Sequence, residues 1–361
     1  MQTDRYHRQV LLPQVAPQGQ ARLRGASILL VGCGALGGVI ADQLVRAGIG
    51  TLLIADRDIV ELTNLQRQVL FDEADAREGI PKAVAAAQKL AKINSQVSLD
   101  PRVTDVHGGN VEGLAGCEGD GPPVDLILDG TDNVATRYLL NDVSVKHGIP
   151  WVYGACVGVE GRCMAVVPPT GPCLQCIFPE PPAAAELPTC DTAGVLAPAA
   201  AIVASLQVTA ALRVLLAGAS PSHVESRSGR VTSIEPLVSV DVWAGRFRRI
   251  ALEGEKRADC ICCGRREFKF LEAGAAGQST SLCGRDAVQV RPQNGIAVKL
   301  SQLADKLSQS GHVQRTPHLL RCELYQPTAI RLTIFPDGRA IVHGTADLER
   351  ARSIYSRFVG D

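Results

Sequence analysis

The chain lacks a surplus of charge of either sign. Lys plus Arg and Asp plus Glu each number 37 in 361 residues. Nothing therefore draws the whole molecule toward nucleic acid or an anionic membrane, and any phosphate binding must be local. Nor is a leader expected. MQTDRYHRQVLLPQ holds no basic segment followed by an apolar run and a cleavage site, so a cytoplasmic protein is expected. An uninterrupted apolar run of membrane length is missing too. Residues 194–217 come nearest, but Pro198, Ser205, Gln207, Thr209 and Arg213 interrupt them, and a buried helix is expected. No internal repeat is found. In a cytoplasmic chain the twelve cysteines point to metal and to buried or reactive thiols rather than disulfides.

What is present alternates. Ser27–Val31 is a continuous apolar run, as expected of a strand buried on both faces. A Gly-rich turn, a helix over 36–47 and a strand over 51–55 follow, with Gly48 and Gly50 ending the helix. The alternation continues through a helix over 82–93, strands over 97–103 and 124–128, and a helix over 132–147. An exposed Gly-rich loop is expected at 108–123. This is the pattern of an α/β fold with a doubly wound, mostly parallel sheet. Antiparallel strands are expected at 161–167 and within 237–250, with a Pro-rich loop at 179–188 between them. The expected organisation is a first domain over 1–264, a linker over 265–281 rich in Gly, Ala and Ser, and a small α+β domain over 282–361.

Gly32-Cys33-Gly34-Ala35-Leu36-Gly37 lies between a strand and a helix. Gly32 makes the turn, Gly34 lets backbone approach phosphate, and Gly37 lets the helix pack closely. Asp56 ends the next strand and can accept from ribose hydroxyls, as can Asp58. Alone these residues suit a dinucleotide or ATP equally. Asn64, Arg67 and Lys82 then place an amide and two cations beyond the acidic pair, which favours a triphosphate. Asp132 follows the strand over 124–128. It could hold Mg²⁺ beside phosphates, or Thr131, Asp132 or Asn133 could simply cap the next helix. Cys173-Leu-Gln-Cys176 and Cys260-Ile-Cys262-Cys263 are two CxxC-type pairs, and four thiolates can close a tetrahedral Zn²⁺ site.

The ordered set of motifs resembles the ThiF/MoeB/HesA family, bacterial relatives of the ubiquitin-activating E1 enzymes. The matching residues are Arg5-Tyr-His-Arg8-Gln9, the glycine loop, Asp56-Arg-Asp58, Asn64-Leu-Gln-Arg67-Gln68, Thr131-Asp132-Asn133, both cysteine pairs and 189–195. The resemblance covers about residues 4–264. It implies a Rossmann-like E1/ThiF fold with an antiparallel extension and a zinc knuckle. It also implies an adenylyltransferase that activates the C-terminal Gly-Gly carboxylate of a ubiquitin-like sulfur-carrier protein (ThiS-like or MoaD-like) with ATP, Mg²⁺ and Zn²⁺, in thiamine or molybdopterin biosynthesis. Carried over, Arg67 and Lys82 bind phosphates, Asp56 binds ribose, and Asp132 binds Mg²⁺ and matters most for the chemistry. Arg8 reaches into a partner subunit's site, so a homodimer is expected. Cys173, Cys176, Cys260 and Cys263 become the zinc ligands, with Cys262 the spare. Cys190 stands where some members carry a thiol that forms a covalent link, which brings in a cysteine desulfurase as a second partner. Two other readings compete: a non-catalytic E1-like binding partner, against which Arg8, Arg67 and Asp132 argue, and an NAD-dependent oxidoreductase.

Overall fold

The computed structural model describes residues 5–119, 121–182, 190–217, 236–272, 280–282, 286–290 and 298–360. The chain falls into two compact units, Met1–Ala273 and Gly274–Asp361.

In the first unit, α1 (His7–Val10) and α2 (Ala16–Gly25) precede β1 (Ser27–Val31), α3 (Ala35–Ala47) and β2 (Thr51–Asp56). Next come α4 (Glu73–Glu78), α5 (Lys82–Ile93), β3 (Ser98–Val103), α6 (Val111–Leu114), β4 (Leu126–Asp129) and α7 (Val134–His147). A second half holds β5 (Trp151–Val157), β6 (Glu160–Val166), α8 (Leu174–Ile177), α9 (Cys190–Ala193), α10 (Ala197–Ala217), β7 (Leu237–Asp241), β8 (Arg246–Ile250) and α11 (Lys269–Glu272).

Among the described residues the sheet runs β3-β2-β1-β4-β5-β6-β7-β8. Its first five strands are parallel and the last three antiparallel. The central strands read as apolar runs because both faces are covered. Ile28 and Leu30 of β1 join the cluster built with Ile40, Leu44, Ala86 and Val203 of α3, α5 and α10. Leu29 and Ile127 join the opposite cluster, with Leu140 and Val143 of α7, Trp151 and Cys173. The order β3-β2-β1-β4 reverses direction between β1 and β4, so the loops at their carboxyl ends form the crevice where such sheets bind ligands.

The apolar segment 194–217 becomes α10, a helix long and apolar enough by composition to cross a membrane. It packs instead on the sheet and α3 through Ala199, Ala200, Val203, Ala204, Val208 and Ala211. Gly161 of β6 permits this approach, since a Cβ there would collide with Val203.

Two expectations need correction. The loop at 108–123 is not wholly exposed: α6 tucks Val111 and Ala115 into the core. The linker drawn at 265–281 is too long. α11 packs on α7, with Leu271 buried, and Thr280–Leu282 is already a strand of the second unit, whose boundary with the first falls between Ala273 and Gly274.

The second unit holds β9 (Thr280–Leu282), β10 (Ala287–Val290), α12 (Leu300–Leu307), β11 (Gly311–Arg315), β12 (Leu320–Leu324), β13 (Arg331–Ile334), β14 (Ala340–His343) and α13 (Leu348–Phe358). The strands form an antiparallel sheet in the order β11-β12-β13-β14-β10-β9. Leu303, Leu307, Ile354 and Phe358 of the two helices pack on Leu320, Leu332 and Val342.

Candidate active site

The glycine loop is shaped by close backbone contact. Gly32 adopts φ +85, a conformation that favours glycine. A Cβ on Gly37 would collide with the Gly32 carbonyl, and one on Gly130 would collide with Gly32 and Gly37. The turn after β1, the start of α3 and the turn after β4 therefore meet at van der Waals distance. The first turn of α3 directs unpaired N–H groups into the crevice, which suits an anion.

Asp56 is buried beside this loop. Its Oδ2 accepts from the backbone N–H of Cys33 at 2.6 Å, and its Oδ1 from that of Asp58 at 2.7 Å. Burial raises its pKa, with Lys82 and these two N–H donors acting in the opposite sense. Each oxygen keeps a lone pair for a further donor such as a ribose hydroxyl. Lys82, also buried, reaches Asp58 Oδ2 at 3.1 Å. Thus Asp58 holds the lysine at the edge of the crevice.

The segment after β2 folds over the glycine loop. A capping interaction between Glu61 and Asn64 closes a short 3₁₀ turn, Leu62–Asn64. A Cβ on Gly34 would stand 3.6 Å from Gln68 Nε2. Asn64 is 1% exposed and Gln68 4% exposed, yet Asn64 Nδ2 and Gln68 Oε1 have no hydrogen-bond partner. Leaving a buried polar atom unmatched costs about 1–3 kcal/mol. A donor and an acceptor orphaned beside an anion-binding loop fit a polar ligand that supplies the missing partners. Arg67, between them in sequence, is half-buried and donates to the Thr63 carbonyl at 3.1 Å.

At the end of β4, Asn133 caps α7 by accepting from the Thr136 N–H. The capping duty is therefore filled, and Asp132 is left exposed at the lip of the crevice. Asp129 lies fully buried behind it, paired with Arg137 Nε at 3.1 Å. Sequence reasoning passed over Arg137, since nothing local to α7 marks it as buried. It also missed Gln68 as a candidate ligand. No local signal marked it, because Gln68 lies between Arg67 and the exposed Val69 and only packing turns it inward.

Arg8 is not brought to this crevice. It sits on α1, exposed, and α1 is anchored at the opposite end of α3. Gln9 donates to the Ala47 carbonyl, and the Tyr6 ring lies against Gly48 while its hydroxyl accepts from Asn94. The thirteen residues of α3 span roughly 20 Å. Cys190 opens α9, and its side chain lies outside the described residues.

On the α7 face, Cys173, Cys176, Cys260 and Cys263 hold their sulfurs within 4.8 Å of one another. The contacts are 3.9 Å for Cys173–Cys176, 3.6 Å for Cys173–Cys260 and 3.4 Å for Cys176–Cys263. Thiolates about 2.3 Å from a tetrahedral zinc stand roughly 3.8 Å apart, so this set fits the metal. Cys262 stands outside this four-sulfur set and accepts from Asn141 Nδ2 at 3.2 Å. Four protein ligands leave no open coordination position, which defines a structural site.

Fold and site together define a nucleotide-binding α/β protein whose sheet extension is stapled by a tetrathiolate. Residues 6–262 match the ThiF family, and the chain belongs to it. It is 40% identical over 360 residues to the sulfur carrier protein ThiS adenylyltransferase of Bacillus subtilis, covering 99% of this chain and 100% of that protein. It is 37% identical over 266 residues to the sulfur carrier protein adenylyltransferase of Thermus thermophilus, covering 72% and 90% respectively. The crystal structure of E. coli MccB with ATP superposes with a TM-score of 0.59 at 20% identity, covering 73% of this chain and 75% of that one. That last likeness establishes the fold alone.

Proposed function

We propose that the chain adenylylates the C-terminal Gly-Gly carboxylate of a ubiquitin-like sulfur-carrier protein of the ThiS kind. The observation that carries this reading is the crevice itself: a glycine loop roofed by two buried amides, each with one unmatched polar atom, and the exposed Asp132 at the switch point. The match to a ThiS adenylyltransferase along its whole length supports the choice of carrier.

In the reaction a carboxylate oxygen of the carrier forms a bond to the α-phosphorus of ATP. The bond from that phosphorus to the bridging oxygen of the β-phosphate breaks, and pyrophosphate leaves with the electron pair. The protein forms no bond of its own; it positions and neutralises. The N–H groups at the start of α3 receive phosphate oxygens, Asn64 and Gln68 supply a donor and an acceptor, and Arg67 and Lys82 offset charge. Asp56 accepts from the ribose, and Asp132 would hold Mg²⁺. When bound, Mg²⁺ supplies charge neutralisation on the phosphates.

The remote anchorage of α1 supports a homodimer in which Arg8 completes the neighbour's crevice. A cysteine desulfurase is the corresponding source of sulfur for the activated carrier, in the cytoplasm. The decisive assay is exchange of labelled pyrophosphate into ATP, run with Mg²⁺ and candidate carriers ending in Gly-Gly. A ThiS-like carrier is expected to support exchange. Absence of label in ATP with every carrier, at saturating nucleotide, would overturn the reading.

A further inference from the structure

Asp129 ends β4 with a fully buried carboxylate, a placement that is costly unless every oxygen is matched. The match here is specific. Arg137 Nε donates to Oδ2 at 3.1 Å, and the Gly154 N–H donates to the same oxygen at 3.4 Å. The Thr131 hydroxyl and N–H both donate to Oδ1, at 2.7 and 2.9 Å. Arg137 commits a second donor, Nη2, to the Thr131 carbonyl at 2.8 Å. Its guanidinium lies 5.6 Å from the centre of the Tyr153 ring. The Asp129 carbonyl is fixed from the opposite layer by Gln207 Nε2 of α10 at 2.7 Å.

These bonds converge on Asp129 and Thr131, the residues on either side of Gly130 just before Asp132. The next residue after it, Asn133, is fixed as the α7 cap. Asp132 takes part in none of them and is exposed. A carboxylate with free lone pairs is thus mounted on a peptide segment clamped on both sides.

We propose that Arg137 is a positioning residue for adenylyl transfer, its forked grip on the Asp129 carboxylate and the Thr131 carbonyl setting the direction in which Asp132 presents its carboxylate. This rests on the function proposed above, in which Asp132 holds Mg²⁺. Lysine cannot replace the fork. An ammonium can keep the charge opposite Asp129, but it cannot span both acceptors in one plane.

The test uses the full-length, zinc-loaded protein with Arg137→Lys and Thr131→Val. The second variant removes one donor to Asp129 and leaves all charges in place. Arg137→Lys is expected to lower kcat for pyrophosphate exchange by about 10- to 100-fold while KM for ATP stays within about twofold. In calorimetry of ATP binding, the Mg²⁺ concentration at half effect is expected to rise about tenfold. Thr131→Val should move both readouts the same way by a smaller factor. On an Asp132→Ala background, Arg137→Lys should leave the calorimetric Mg²⁺ dependence where Asp132→Ala alone puts it. Variants that keep the wild-type kcat and Mg²⁺ requirement would overturn the proposal. So would an Arg137→Lys shift of equal size with and without Asp132. Should Arg137→Lys fail to fold, Thr131→Val decides by the same criteria. A wild-type protein inactive with every carrier refutes the function, while the calorimetric comparison still reads the positioning.

Discussion

The zinc staple permits the sharpest prediction, because the structure separates two adjacent cysteines. Cys263 points its sulfur at Cys176, 3.4 Å away, whereas Cys262 lies against Asn141. Cys263→Ser should therefore release the metal and Cys262→Ala should not. The size of the effect follows from topology. The two knuckles join positions 84 residues apart, Cys176 to Cys260. Closing a loop of that length costs the unfolded chain roughly 4 kcal/mol of entropy. For a unit of this size that corresponds to a fall in Tm of about 8–16 °C. Cys262→Ala loses a small buried side chain and one weak acceptor for Asn141, about 1–2 kcal/mol. Zinc per chain by plasma emission, together with thermal melting before and after chelation, separates the cases. The reasoning fails if Cys263→Ser retains one zinc, if Cys262→Ala loses it, or if chelation leaves Tm unchanged.

Asp132→Ala should lower exchange by about a thousandfold or more with no loss of thermal stability, because the exposed side chain caps nothing. Asn133→Ala next to it should instead lower stability by about 1 kcal/mol, through loss of its bond from Thr136; melting curves of the two proteins would show the split. Gln68→Met removes a buried acceptor that lacks a partner, so the free protein should melt no lower than wild type while ATP binds about tenfold more weakly by calorimetry. Arg8→Ala and Asp132→Ala should each be inactive alone, yet an equal mixture, unfolded and refolded together, should recover about a quarter of wild-type exchange. That fraction follows from half the dimers being mixed and each holding one complete site; no recovery would refute a site shared between subunits.

Much of this was legible in the chain. The continuous apolar runs of β1 and β4 announced strands covered on both faces, and the glycine spacing located the loop between β1 and α3. Polar edges were harder to read. β8 is Arg-Phe-Arg-Arg-Ile and exposed throughout, so its strand is set by pairing with β7 and not by alternation. β11, Gly-His-Val-Gln-Arg, shows a single apolar side chain, so its strand too is set by pairing, here with β12. Within the candidate site, residue type nominated Asp56, Asn64, Arg67, Lys82 and Asp132, but not their surroundings. That Lys82 is held by Asp58, that Asp56 already braces the glycine loop, and that Arg137 is buried against Asp129 are products of packing between distant segments. The same holds for Cys262 and Cys263. Spacing allows either to complete the pair with Cys260, and the direction each thiol takes depends on the turn that follows.

The three-way contact of Gly32, Gly37 and Gly130 has a mechanical consequence. The nucleotide loop and the turn leading to Asp132 share one backbone junction with no side chain to compress, so neither can swing without the other. The floor of the crevice therefore behaves as a single die, cast before any ligand arrives. Among the described residues, the part of the crevice free of that junction is the roof, the segment carrying Asn64, Arg67 and Gln68. A screen for variants that change ligand preference without harming the fold would best begin in that roof and leave the three glycines alone.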